Sequence, residues 1–207
     1  MRNVYVVTHA QSLHHIERRV GGWYDTSLTD LGRKQAEKTG LFLKSAVDST
    51  DVRLFSSDLK RAAETAEIIG KRLQRPVTLD SRLREMSYGD AEGRPQSWFK
   101  DQIRPQPTDG NRLDHRVYTG AESRIEVAER VSAALTDALE KGARDTVIVS
   151  HGFASTFLIM AWMKVPADHV DYCNLPAKPG SVTMLHEDDL FGNRSVTYLC
   201  HTAHLEI

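Results

Sequence analysis

His9, Arg61 and His151 each follow closely on a short run of apolar, mostly β-branched residues. A neutral imidazole can act as a nucleophile or a base, and a guanidinium group holds anions through directed N–H donors. Arg61 also falls at the predicted start of a helix, where free backbone N–H groups favour anions. These residue types together predict a small phosphate-binding pocket.

Apolar patterning predicts the elements that would bring these residues together. Short continuous runs are typical of strands buried on both faces, and three- and four-residue spacing is typical of amphipathic helices. Ligands bind beyond the carboxyl ends of the strands in open α/β sheets, so we expect the three residues at one sheet edge. The predicted strands are residues 4–7, 52–55 and 146–149, the predicted helices are 59–73 and 128–139, and a hairpin is predicted at 181–185 and 195–199.

The alternation of strands and helices predicts an α/β fold, a three-layer α/β/α sandwich. We expect a mostly parallel sheet with one antiparallel strand contributed by the final hairpin. Residues 1–207 are interpreted as a single domain, with 93–120 as an excursion over the active-site edge. The excursion's aromatic and basic side chains are expected to roof the pocket; they are Trp98, Phe99, Arg104, Arg112, Arg116 and Tyr118.

Composition excludes several classes of function. With 27 Lys and Arg against 28 Asp and Glu, the formal net charge is -1, so neither nucleic acid nor a membrane surface is an expected partner. The opening apolar run, residues 4–7, is too short for a signal peptide, and we expect a cytoplasmic protein. Cys173 and Cys200 lack disulfide-framework or metal-site spacing and are interpreted as free thiols.

Sequence motifs in register along nearly the whole chain resemble the histidine phosphatase superfamily, which includes the cofactor-dependent phosphoglycerate mutases. No single motif is specific, but their order is. The matching blocks are Thr8-His9-Ala10-Gln11-Ser12, Gly22-Trp23-Tyr24-Asp25, Leu28-Thr29-Asp30-Leu31-Gly32, Ser56-Ser57-Asp58-Leu59-Lys60-Arg61-Ala62, Leu83-Arg84-Glu85-Met86-Ser87-Tyr88-Gly89 with Glu92-Gly93, Gly120-Ala121-Glu122-Ser123 and Val149-Ser150-His151-Gly152.

The resemblance implies a phosphoglycerate mutase-like fold and phosphoryl transfer without a metal or other cofactor. His9 would attack phosphorus and become a phosphohistidine, Arg61 and His151 would hold the phosphoryl oxygens, and Glu85 would be the general acid. The implied activity is hydrolysis of a small phosphorylated metabolite. The remaining residues expected at the phosphate are Thr8, Gln11, Ser12, His15 and Gly22.

The resemblance is incomplete at the nucleophile. The family opens with Arg-His-Gly, whereas this chain has Thr8-His9-Ala10, and His15 stands where many members have asparagine. Losing one charged phosphate donor is expected to cost a few kcal/mol of transition-state stabilisation, about the contribution of one oxyanion donor. We expect another cation to compensate, and the candidates are His15, Arg18, Arg19, Arg82 and Arg84.

Three alternatives stay open on the sequence. The first is a phosphoglycerate mutase-type phosphomutase, the second a weakly active phosphate-ligand binding protein, and the third a phosphoprotein phosphatase. A homodimer is also left open. A metal site built on His14 and His15 is not expected, because adjacent histidines converge poorly and no carboxylate or cysteine completes the set.

Overall fold

The computed structural model describes residues 1–47 and 51–206 and contains a six-stranded mixed sheet. The strand order is β3-β2-β4-β1-β5-β6. The strands β1 to β4 are mutually parallel, whereas β5 runs antiparallel to both β1 and β6, which confirms the prediction of one reversed strand. The strands are β1 (Arg2–Thr8), β2 (Val52–Ser56), β3 (Val77–Leu79), β4 (Asp145–Ser150), β5 (Val182–Glu187) and β6 (Arg194–His201).

Helices cover both faces of the sheet, as predicted. The pairs α2 with α3 and α5 with α6 pack on opposite faces, whereas α1 and α4 are short and belong to the loops above the sheet edge. The α-helices are α1 (Leu13–Ile16), α2 (Asp30–Ala46), α3 (Lys60–Leu73), α4 (Gln96–Gln102), α5 (Arg124–Glu140) and α6 (Gly152–Trp162).

Strand alternation divides the core into two layers. In β1, Val4 and Val6 pack with α5 and α6, while Tyr5 and Val7 pack with α2 and α3. All four side chains are at most 2% exposed, which explains why this run is apolar on both faces. The central strands are therefore rigidly held, and their carboxyl ends offer fixed positions for a site.

Two smaller features complete the architecture. Among the described residues, no helix is long and apolar enough to cross a membrane. The predicted terminal hairpin is present as β5 and β6, and its turn is organised by Asp188, whose carboxylate accepts the backbone N–H groups of Leu190, Phe191 and Asn193.

Candidate active site

His9 lies immediately after β1 and is only 5% exposed. Its backbone N–H donates to Ser150 O at the end of β4 over 2.9 Å, and its Nδ1 donates to Ala10 O over 2.8 Å. With the ring proton on Nδ1, Nε2 carries the lone pair. Burial, together with the charge of Arg61, holds the pKa of His9 well below its usual range. His9 is thus a neutral imidazole with a nucleophilic Nε2.

Arg61 is held against this nucleophile. Its Nε donates to His9 Nε2 over 3.2 Å, and its terminal nitrogens donate to Tyr24 O over 3.1 Å and Gly22 O over 2.6 Å. The side chain is 1% exposed, and burial lowers its pKa to about 10, so it remains a cation at neutral pH. The loop before α2 therefore fixes Arg61 through backbone carbonyls.

Gly22 is required by this arrangement. Its φ is +58°, and a Cβ there would lie 2.7 Å from Glu92 Oε1 and 3.1 Å from Met86 O. The next motif residues also serve α3, because Asp25 Oδ1 accepts the Lys60 N–H over 2.7 Å. We expected Ser57 or Asp58 to cap this helix, but it begins after Leu59, and the cap comes from a distant loop.

His151 lies beside His9, below the surface of the cavity. The ring centroids are 5.0 Å apart, and His151 is fully buried. Its Nε2 lies 2.8 Å from Ser57 Oγ, which also accepts the Leu59 N–H, so the serine proton is available to Nε2. In that tautomer Nδ1 carries a proton, and this buried Nδ1 has no hydrogen-bond partner.

Glu85 is anchored at the start of α6. Its Oε1 accepts the N–H groups of Met86 and Ala154, each over 3.0 Å, and its Oε2 accepts that of Phe153 over 3.1 Å. A helix N-terminus favours a carboxylate, and the bonds fix its orientation. Glu85 lines the same cavity as His9 and Arg61.

The backbone around Glu85 is tied to α5 by a residue that the motifs do not single out. Arg130 donates to the carbonyls of Arg82, Arg84 and Glu85 over 2.7 to 2.9 Å, and it pairs with Glu122 over 2.8 Å. Trp23 Nε1 donates to the same Glu85 carbonyl over 2.7 Å. In the sequence Arg130 resembles any charged residue on an amphipathic helix, so nothing marked it.

The cavity, of about 260 Å³, brings most of the predicted residues together. It also includes His14, which we did not expect there. The ring of His9 lies 5.4 Å from that of His15 and 6.1 Å from that of His14. The expectation that adjacent histidines would not converge was wrong, because the tight turn of α1 carries both rings to the cavity. Its lining comprises Thr8, His9, His14, His15, Gly21, Gly22, Arg61, Glu85, Tyr88, Gln96, Gly152, Ala177 and Pro179.

The protonation of His14 and His15 is shaped by burial. His15 Nδ1 accepts the Ser12 N–H over 3.2 Å, so its ring proton lies on Nε2. His14 Nδ1 lies 3.0 Å from Ser12 Oγ and 3.2 Å from Thr26 Oγ1. Burial lowers the pKa of His14 to about 3 and that of His15 below its usual value. Nevertheless, within residues 1–47 and 51–206 no group of histidine, cysteine or acidic side chains is arranged to hold a metal.

Two residues expected at the phosphate face elsewhere. Gln11 Oε1 accepts the Thr29 hydroxyl over 2.8 Å, and its backbone N–H donates to Gln35, so Gln11 secures α2 instead of lining the cavity. Ser12 is fully buried beneath His14 and precedes α1. Thr8 does line the cavity, where its hydroxyl accepts one from Ser181 over 3.4 Å.

The arginines proposed to compensate at Thr8 have other partners. Arg82 pairs with Asp80 and Asp137, and Arg84 pairs with Asp58. Arg19 pairs with Glu17 and donates to Gly93 O. Of the compensation candidates, His15 alone lines the cavity; Arg18 lines a neighbouring groove.

The excursion roofs the site with different residues from those expected. Trp98 and Phe99 pack edge-on against Tyr118, and Arg116 pairs with Glu126. The groove outside the cavity has a volume of about 880 Å³, is lined by polar residues of α1, its following turn and α4, and shares His15 and Gln96 with the cavity. Its lining is His15, Glu17, Arg18, Pro95, Gln96, Ser97, Lys100 and Asp101.

A family model, the histidine phosphatase superfamily (branch 1), matches residues 4–193. The chain belongs to this superfamily. Among characterised and inferred members, this histidine phosphatase is 38% identical over 172 residues to a protein named as a probable phosphoglycerate mutase, GpmB, of Salmonella paratyphi C (strain RKS4594), covering 81% of this chain and 77% of that protein.

Solved structures extend the comparison. This histidine phosphatase superposes on a mycobacterial glucosyl-3-phosphoglycerate phosphatase, solved in complex with VO3, with a TM-score of 0.80 and 26% identity, covering 98% of this chain and 100% of that one. It superposes on YhfR of Bacillus stearothermophilus with a TM-score of 0.79 and 28% identity, covering 99% and 100%. Both known phosphatase and probable mutase relatives are therefore similar to it.

Proposed function

We propose that this histidine phosphatase hydrolyses a small phosphorylated metabolite through a phosphohistidine intermediate on His9, within one domain that spans the chain. The observation that carries the proposal is the pairing of His9 and Arg61. His9 Nδ1 is committed to Ala10 O, so Nε2 presents its lone pair to the cavity beside a buried guanidinium. A neutral nucleophile next to a fixed cation suits attack on an anionic phosphoryl group.

In the first step His9 Nε2 forms a bond to phosphorus while the ester P–O bond breaks. Arg61 and the Nδ1–H of His151 stabilise the charge on the equatorial oxygens. The unpartnered, buried Nδ1 of His151 supports this role, since a bound oxyanion would supply its missing acceptor. Glu85 donates a proton to the leaving alkoxide, and the alcohol departs.

In the second step a water oxygen attacks the phosphohistidine. Glu85, now a carboxylate, takes the water proton as the P–N bond breaks, and inorganic phosphate is released. His9 returns to its neutral form and Glu85 must be reprotonated before the next turnover. The three backbone N–H groups around Glu85 keep it in place through both proton transfers.

His15 takes over part of the task of the arginine expected at Thr8. Its Nδ1 accepts from the Ser12 backbone, which leaves Nε2–H as a donor, and its ring stacks 5.4 Å from that of His9. A neutral donor is weaker than a guanidinium, although an arriving phosphate dianion would favour protonation of His15. Compensation is therefore partial until substrate binds.

Hydrolysis is favoured over phosphoryl exchange by the open side of the cavity. Sharing His15 and Gln96 with the outer groove gives water a route to the phosphohistidine. The structural similarity to the mycobacterial phosphatase agrees with this choice. The 38% identity to the probable phosphoglycerate mutase makes phosphomutase activity the second candidate.

One experiment separates these activities. The purified chain is incubated without added metal with a panel of phosphorylated sugars, acids and nucleosides, and free phosphate release is measured alongside exchange between phosphate isomers. We expect phosphate release to dominate and His9→Ala to abolish it. Predominant isomer exchange would instead identify a mutase, and ligand binding without either reaction would identify a binding protein.

A further inference from the structure

Arg112 and Arg124 differ from other arginines near the site in lacking an acidic partner. Arg84, Arg116 and Arg130 each bond a carboxylate. In the part of the chain that the structure describes, neither Arg112 nor Arg124 forms a salt bridge. Two cations are thus left without a neutralising ion pair.

Both guanidinium groups are held in place but incompletely satisfied. Arg112 donates to Pro107 O and Arg124 to Cys173 O, each over 3.0 Å. Arg112 lies over the ring of Tyr172 at 4.3 Å, and Arg124 over that of Phe153 at 4.8 Å. The Nε atom of each is buried without a hydrogen-bond partner. Buried donors are normally paired, so these point to a missing acceptor.

The two charges also repel each other. Burial, followed by the neighbouring charge of Arg112, lowers the pKa of Arg124, and the opposing influences are Cys173, Asp171 and Tyr88. Like charges placed together are costly, and an anion between them would relieve the cost.

This arginine pair is connected to the reaction site. Phe153, on which Arg124 stacks, donates its backbone N–H to Glu85 Oε2 over 3.1 Å. Tyr88, which lines the cavity, feels the charge of Arg124. The pair thus lies beyond the Tyr88 and Glu85 side of the cavity, away from the groove near His15.

We propose that Arg112 and Arg124 bind an anionic group on the non-reacting end of the substrate. This inference rests on the proposed function and deepens it: the substrate is a phosphomonoester with a second anionic group, a carboxylate or a second phosphate. Arginine forks suit either group, because both accept paired N–H donors.

The other route out of the cavity is less suited to an anion. There Arg18 and Lys100 are accompanied by Glu17 and Asp101, so the groove's formal charges balance. The arginine pair has no such counterweight within bonding distance. The leaving group is therefore directed toward the excursion, and the groove is left for water.

Matched substrates test the proposal. Linear alkyl phosphates of increasing chain length are prepared with a terminal hydroxyl, carboxylate or phosphate, and kcat and KM are measured for each. For the parent chain we expect kcat/KM to favour both anionic termini over the hydroxyl once the chain is long enough to span from His9 to the arginines. The carboxylate and phosphate arms reveal which anion is preferred.

Arg112→Gln and Arg124→Gln should each raise KM for the anionic series by about ten-fold or more, as expected for loss of a charge-assisted bond. Neither should change the constants for the hydroxyl series or for p-nitrophenyl phosphate. Arg104→Gln is the control, since Arg104 is exposed on the same excursion. Equal losses on all series, or no preference for anionic termini in the parent, would overturn the proposal.

Binding keeps the two proposals separable. Calorimetry with a His9→Ala variant measures affinity for the same compounds without turnover. Tighter binding of the anionic series that is lost in Arg124→Gln would support the arginine site even if no phosphate is released. No difference among the three termini would contradict it, whatever the activity.

Discussion

Arg61 Nε donates to His9 Nε2 over 3.2 Å, so the cation faces the very atom that would attack phosphorus. This bond keeps a proton off Nε2, in agreement with the lowered pKa of His9. A phosphoryl group entering between them would exchange the hydrogen bond for contacts from Arg61 to phosphate oxygens. The nucleophile would then be released only when its substrate is present.

Arg61→Lys should lower kcat/KM by about 10² to 10³, the range seen for loss of a preorganised oxyanion donor. A lysine ammonium is a point charge and lacks the fork that reaches His9, Tyr24 O and Gly22 O together. Steady-state phosphate release measures the change. Arg72→Lys, on the exposed side of α3, is the matched control, and comparable rates in all three proteins would refute this role for Arg61.

Glu85→Gln should depend on the leaving group. Alkyl phosphates need protonation of the departing oxygen, so we expect their turnover to fall by about 10² to 10⁴. p-Nitrophenyl phosphate, whose leaving phenolate is stable, should be affected far less in the phosphorylation step. Burst kinetics isolate that step, and Glu129→Gln on exposed α5 surface is the control. An equal loss on both substrates would remove Glu85 as general acid.

Arg130→Lys should reproduce a weaker form of the same leaving-group dependence. Arg130 holds the carbonyls around Glu85 and does not line the cavity, so it acts as a positioning residue. We expect about a ten-fold lower kcat on alkyl phosphates and a shifted pH profile, with little further loss when combined with Glu85→Gln. Fully additive losses in the double variant would show that Arg130 serves only stability.

His15→Ala should weaken inorganic phosphate binding by about ten-fold or more, in line with a hydrogen bond to a charged group of about 1.5 to 3 kcal/mol. The affinity is measured by competitive inhibition. His169→Ala is the control because that imidazole is exposed and lies away from the cavity. Unchanged inhibition in His15→Ala would mean that the missing arginine is not compensated here.

Folding stability should fall on acidification because buried histidines stay neutral. His9, His14 and His151 have pKa values lowered from 6.5, that of His14 to about 3. Below the unfolded-state value the unfolded chain binds more protons than the folded chain, so the free energy of unfolding decreases as pH falls. Each such histidine contributes about 1.4 kcal/mol per pH unit.

Denaturant titrations of the parent and His14→Gln above and below the histidine range isolate one such contribution. We expect the parent to lose about 1.4 kcal/mol more than the variant over the first pH unit below 6.5. His169→Asn should show the parent's pH dependence. Parallel curves for the parent and His14→Gln would mean that His14 is protonated in the folded protein.

Much of the fold was predictable because its strands and two of its helices carry simple periodic patterns. The α3 and α5 patterns appear at nearly the predicted bounds. By contrast, α6 is almost entirely apolar, since it packs within the core, and it therefore shows no amphipathic spacing that predicts a helix. The short edge strand β3 has three residues, too few for a pattern.

The site was predictable where a residue follows a strand and not where a loop folds back. His9, Arg61 and His151 converge because parallel strands end at one edge. The approach of His14 depends on the turn of α1, and the role of Arg130 depends on the path of residues 82–85 across α5. Neither path is encoded in local spacing.

The phosphohistidine itself is the most direct test of this account. The chain is mixed with a substrate labelled in its phosphoryl group, quenched in alkali within one turnover, and digested for mass spectrometry. The account predicts an alkali-stable, acid-labile phosphate on the peptide that contains His9, absent in His9→Ala and accumulating in Glu85→Gln with p-nitrophenyl phosphate. Steady turnover with no label on His9 would contradict it.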